Sequence, residues 1–232
     1  MLLAVVLVVS GALVAGAAWG IYGKLPERLE GFLVALAGGA LLLSVTTELI
    51  EPSIETASAF HAMLGVAAGA VVFAFADYLI DERWGPDDGG GLLAAITLDG
   101  IPENLALGVA LIGVGGAEVA ALAGSILLSN LPEAAGGARA MVSGGHGRGK
   151  VMLLWLGTAI LLSLAAIVGN LALAGVGEDA LAVIRCFAAG AVVASLATEV
   201  FPQAFREDRH WAGIATALGV ILAFSLGSLT GG

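Results

Sequence analysis

Residues 151–175 read VMLLWLGTAILLSLAAIVGNLALAG, a run without a single charged side chain. A helix of about 20 apolar residues is long enough to cross the hydrocarbon core of a bilayer. The run therefore predicts a membrane-spanning helix, and similar runs recur along the chain. Of the 232 residues, 59% are hydrophobic and 12% are charged. This composition is typical of an integral membrane protein and excludes an ordinary soluble domain.

Eight apolar stretches alternate with short connections that are rich in Gly, Pro and charged residues. We predict one all-α membrane domain over residues 1–232, built from eight transmembrane helices. The predicted spans are 2–22, 30–51, 60–80, 91–113, 117–141, 151–175, 179–202 and 211–230. The first span has no basic residue ahead of it, so we interpret it as a retained helix and not as a signal peptide.

Seven of the nine Lys and Arg residues fall in alternate connections between these spans, while Arg139 lies at an adjoining helix end and Arg185 within the seventh span. The connections that contain them are 23–29, 81–90, 142–150 and 203–210. The opposite connections contain no Lys or Arg. Because cytoplasmic loops carry an excess of Lys and Arg, this pattern predicts that both termini are extracytoplasmic. We expect a multi-pass protein of the plasma membrane. The net charge of −10 argues against a nucleic-acid partner.

Two pairs of segments resemble each other. Residues 39–48 read GALLLSVTTE and residues 190–199 read GAVVASLATE, with Gly, Ala, Ser, Thr and Glu at the same offsets. Residues 99–103 read DGIPE and residues 129–133 read SNLPE. In the predicted topology the members of each pair run in opposite directions, which is typical of the inverted repeats of transporters. Chance similarity among small apolar residues is the alternative interpretation.

The second pair places acids inside predicted spans, where a charged side chain is costly and usually functional. Asp99 and Glu103 are four residues apart and therefore share a helix face, as do Ser129 and Glu133. Their oxygens would suit a divalent ion such as Mn, Fe(II) or Mg and would tolerate Zn. The candidate metal ligands are Asp99, Glu103, Asn104, Ser129, Asn130 and Glu133. Protonated acids that hydrogen-bond between helices are the alternative.

Three further acids lie nearer to the ends of their spans. They are Glu48 in the second span, Asp77 in the third and Glu199 in the seventh. Each is a candidate ligand on a pathway to the central acids. Each is equally consistent with a carboxylate that reaches the water among the lipid headgroups.

Eight spans, extracytoplasmic termini and paired Pro-Glu motifs resemble the ZIP (Zrt/Irt-like) divalent metal transporters, nearest their short prokaryotic type. The resemblance implies a 3+2+3 inverted-repeat bundle with a mid-membrane metal site on the fourth and fifth spans. It also implies that the metal, zinc or the related Mn or Fe, is a substrate moved toward the cytoplasm by alternating access. Glu103 and Glu133 match family glutamates, whereas Asp99 stands where the family usually has histidine. Asp77 and Glu199 resemble acids on the family's cytoplasmic exit path.

We therefore expect a transporter and not an enzyme, with the lipid bilayer as its surroundings and no organic cofactor. A homodimer is one assembly that the sequence allows. Two other functions use the same acids. One is an intramembrane metal-dependent enzyme that activates water, and the other is a channel for another cation.

Overall fold

The computed structural model describes residues 2–84, 89–113 and 119–230. Within these residues the chain forms eight helices and no strand, so the all-α prediction is confirmed. The helices are α1 (Leu2–Tyr22), α2 (Glu27–Thr56), α3 (Ala59–Trp84), α4 (Gly89–Ala110), α5 (Ala120–Ser143), α6 (Arg148–Leu173), α7 (Glu178–Glu207) and α8 (Ala212–Thr230). Each predicted span overlaps one helix, although residues 117 and 118 of the fifth span lie outside the described residues.

Six of the helices are long and apolar enough to cross a membrane: α1, α2, α3, α6, α7 and α8. Large apolar side chains cover their outer surfaces, and Val71 of α3 and Leu171 of α6 are each 68% exposed. Contiguous apolar surface on this scale is unfavourable in water and is satisfied by lipid. The chain is thus a multi-pass helical membrane protein. The helices α4 and α5 are not among the six.

The helices α2 and α7 extend beyond their predicted ends at residues 51 and 202, because each contains one wider π turn. These turns span Thr46–Ile50 and Leu196–Val200. Pro52 and Pro202 follow closely and have no N–H to donate to the preceding turn, and the π turn carries the helix past them. The matched sequences 39–48 and 190–199 therefore share a local structure as well as residues.

The eight helices pack as two groups of four. Group A contains α1, α4, α5 and α6, in which α1 lies against α5 and α4 against α6. Group B contains α2, α3, α7 and α8, in which α2 lies against α8 and α3 against α7. The groups meet mainly where α2 contacts α5 and where α4 contacts α7. We call these contacts the α2–α5 seam and the α4–α7 seam.

Candidate metal-binding site

The two acids of α4 are buried in the interior of the bundle. Asp99 is 8% exposed and Glu103 is 3% exposed. They occupy one face of α4 because they are four residues apart. Pro102 lies inside α4 without ending it, as Pro132 does in α5. Both Pro-Glu motifs are therefore carried by continuous helices.

The predicted pairing of α4 with α5 places their glutamates near each other. Glu103 lies beside Ser129 and close enough to Glu133 for the two carboxylates to repel. Ser129 is fully buried and donates a hydrogen bond to the Ile126 carbonyl oxygen at 3.1 Å. Glu133 is half-buried. Like charges at such a position are stable only when a cation or a proton neutralises them.

Asp99 lies near both of these glutamates and also contacts α7. It lies beside Ser195 and Glu199, and Glu199 in turn lies beside Asp77 of α3. The acids thus come from four helices. We call Asp77, Asp99, Glu103, Glu133 and Glu199 the acidic cluster.

Several oxygens in and beside this cluster are buried without a hydrogen-bond partner in the described structure. They are Asp99 Oδ1, Ser195 Oγ, Glu199 Oε1 and Asn104 Oδ1. Native proteins leave few buried polar atoms unpaired, and an unpaired group calls for an explanation such as an ion or a water. The donor set is made of oxygen, which suits the harder divalent ions. Within the described residues, however, no three acids, histidines or cysteines are already arranged around one metal position.

The two asparagines each use their amide nitrogen to hold a helix. Asn104 Nδ2 donates to the Gly100 carbonyl oxygen at 2.9 Å, within α4. Asn130 Nδ2 donates to the Val9 carbonyl oxygen of α1 at 3.1 Å. These bonds use only the amide nitrogens, and Asn104 Oδ1 is buried without a hydrogen-bond partner in the described structure.

Ser195 is the residue that the sequence analysis did not assign. It is 1% exposed and lies at the α4–α7 seam beside Asp99. The sequence did contain a signal, because Ser195 and Ser44 occupy the same offset in the matched segments. Ser44 is also at a seam, where its hydroxyl lies 2.9 Å from that of Ser125 on α5. A small hydroxyl residue is thus used at both seams.

Glu48 is placed apart from the acidic cluster, on the α2–α5 seam. Its Oε1 accepts a hydrogen bond from the Leu122 backbone N–H at 2.9 Å. Leu122 lies in the first turn of α5, whose N–H groups have no partner within the helix. Glu48 therefore caps a helix of the other group, and its role on a pathway stays a prediction.

Replacing Glu48 with Ala should remove this cap and lower the free energy of unfolding by about 0.5–2 kcal/mol, as at other helix N-termini. Glu48→Gln keeps a side-chain oxygen that can accept the same bond and should cost less. Thermal unfolding of both variants in detergent measures the difference. Equal losses for Ala and Gln would show that the carboxyl oxygen does not act as a cap.

No known protein-family profile matches this chain, and no curated protein matches its sequence.

Proposed function

We propose that this protein is a ZIP-like transporter that moves a divalent metal ion, Zn, Mn or Fe(II), toward the cytoplasm. The proposal is carried by the acidic cluster, in which Asp99, Glu103 and Glu199 lie within a helical membrane protein beside oxygens that lack partners. An acid inside a membrane protein is costly, and ion pathways are a common reason for keeping one. A divalent cation would neutralise the repulsion and occupy the unpaired oxygens together.

The architecture that we propose is a 3+2+3 inverted-repeat bundle of eight membrane-crossing helices, with both termini outside the cytoplasm. The matched π turns of α2 and α7 support it. So does the packing, since α2 lies against α8 and α7 against α3. In the proposed repeat, α1, α2 and α3 correspond to α6, α7 and α8. The contact between α2 and α8 then corresponds to the contact between α7 and α3. The central pair would then be α4 and α5.

In this scheme Glu103 and Glu133 are the central ligands, and Asp99 and Asn130 flank them. Their oxygens would replace the water that the ion loses on entering the site. Glu199 and Asp77 would receive the ion on the cytoplasmic side. Alternating access would come from group A sliding against group B, because α1 and α6 pack on α5 and α4 and would move with them.

Metal flux into proteoliposomes tests this function. The purified protein should accumulate metal inside vesicles that contain a metal-sensitive dye, at a rate that saturates with metal concentration. Protein-free vesicles are the control, and competition among Zn, Mn, Fe and Cd would identify the preferred ion. Metal-stimulated hydrolysis without flux would favour the intramembrane enzyme instead. A cation current that none of these metals changes would favour a channel for another cation.

A further inference from the structure

An ion pair away from the acidic cluster joins the two groups at the C-terminal end of α5. Arg139 Nη2 of α5 lies 2.7 Å from Glu30 Oε2 of α2. Arg139 Nη1 also donates to the Leu25 carbonyl oxygen at 2.6 Å, just before α2 begins. Glu30 is 2% exposed, so the carboxylate depends on this guanidinium for its charge balance. No other ion pair is found among the residues that the structure describes.

The backbone is shaped to allow this contact. A side chain at Gly136, one turn before Arg139, would overlap Glu30 Oε1. The glycine therefore lets the Glu30 carboxylate lie across α5 and reach the guanidinium. Gly31 makes similar room for α7, since a Cβ there would lie 2.7 Å from the Glu207 Cβ.

A third helix joins the same contact. Glu207, at the end of α7, lies beside Glu30 and near Arg139. Gln203 Nε2 holds it in place by donating to Glu207 Oε1 at 3.0 Å. One guanidinium from group A thus faces two carboxylates from group B, so moving α5 along α2 would leave both acids without their cation.

At the α4–α7 seam, the described side chains include no equivalent ion pair. When the Pro-Glu motifs of α4 and α5 are aligned, Glu103 matches Glu133 and Val109 matches Arg139. Val109 is buried and apolar. The α2–α5 seam therefore carries a basic residue that the matched position of α4 lacks, and the symmetry of the repeats does not require it.

We propose that Arg139 is an ionic latch that holds group A against group B in the arrangement of this structure. It acts with Glu30 and Glu207 and touches none of the proposed metal ligands. The role of the latch in transport, which is to set how readily the two groups slide past each other, rests on the proposed function. Its effect on the seam is measured without any metal.

Disulfide formation across the seam measures the latch. Ser44→Cys with Ser125→Cys, in a Cys186→Ala background, bridges α2 and α5 at hydroxyls that lie 2.9 Å apart. Ser10→Cys with Ser163→Cys is the matched control, because these hydroxyls lie 2.7 Å apart between α1 and α6, within group A. Both pairs are oxidised in lipid vesicles without metal, with and without a latch substitution.

Arg139→Gln should slow cross-linking at the seam by about five-fold, the effect of losing a partly exposed ion pair at the strong end of its usual range. The pair within group A should react at its original rate. Glu30→Gln should act in the same direction, and Arg139→Lys should retain part of the effect because the charge remains. Unchanged cross-linking at the seam, or an equal fall at both pairs, would overturn the latch. If the wild-type protein takes up no metal but the cross-linking changes as expected, the proposed transport function fails and the latch stands.

Discussion

Replacing Glu103 with Gln should lower metal uptake by at least about 100-fold, since even outer partners of metal ligands cost 10–100-fold when they are removed. Gln keeps the size and shape of the side chain but removes the negative charge that would bind the cation. Glu133→Gln should have a similar effect. Uptake into proteoliposomes at equal protein density is the measurement, with Glu55→Gln as the control. Glu55 is exposed near the end of α2 and should leave uptake unchanged.

A second measurement separates this loss from misfolding. Because Glu103 lies near Glu133, the wild-type protein without metal carries a repulsion that Gln would remove. Binding sites often cost stability in this way. The Gln variant should therefore unfold at the same or a higher temperature than the wild type in a metal-free buffer. Normal uptake by both Glu103→Gln and Glu133→Gln would refute the proposed site.

The sequence was informative about the parts of the site that lie on one helix. Helical periodicity places Asp99 and Glu103 on one face without any knowledge of the fold. Their burial follows from the apolar spans around them. The matched Pro-Glu motifs also predicted that Glu103 and Glu133 belong together, and the two carboxylates do lie near each other.

Contacts between distant helices could not be obtained in the same way. How close Asp99 comes to α5 and to α7 depends on the rotation of α4 in the bundle, and an apolar helix with few polar residues does not specify that rotation. The structure places Asp99 beside Ser195 and Glu199 of α7. The hydrogen bond from the Leu122 N–H to Glu48 could not be predicted either, because every residue type except proline has the same backbone N–H group.

The helices α2 and α7 continue past the predicted ends of their spans, to Thr56 and Glu207. Pro52 and Pro202 are ordinary signals of a helix end, and the predicted spans stopped beside them. A π turn absorbs each proline by shifting the hydrogen-bond pattern by one residue.

Replacing Gly39 with Ala should destabilise the protein strongly, because the new Cβ would overlap the Thr216 carbonyl oxygen where α2 crosses α8. Gly190 makes the equivalent crossing of α7 and α3, and a Cβ there would overlap the Val66 carbonyl oxygen. Overpacking of this kind costs about 1–3 kcal/mol when a side chain can adjust. A backbone carbonyl cannot move aside without its helix, so we expect losses at or above the upper end of this range. Thermal unfolding in detergent measures them.

Gly157→Ala is the matched control, because this glycine lies in α6 with no heavy atom within 4 Å of the added Cβ. Ala is favoured over Gly in a helix by about 0.5–1 kcal/mol, so this variant should be as stable as the wild type or more stable. A Gly39→Ala protein as stable as Gly157→Ala would contradict the close crossing. Gly39→Ala and Gly190→Ala should lose similar amounts of unfolding free energy. The α2–α8 crossing and the α7–α3 crossing correspond to each other in the proposed inverted repeat. Similar losses at the two glycines would therefore support that architecture from backbone packing, without any measurement of metal.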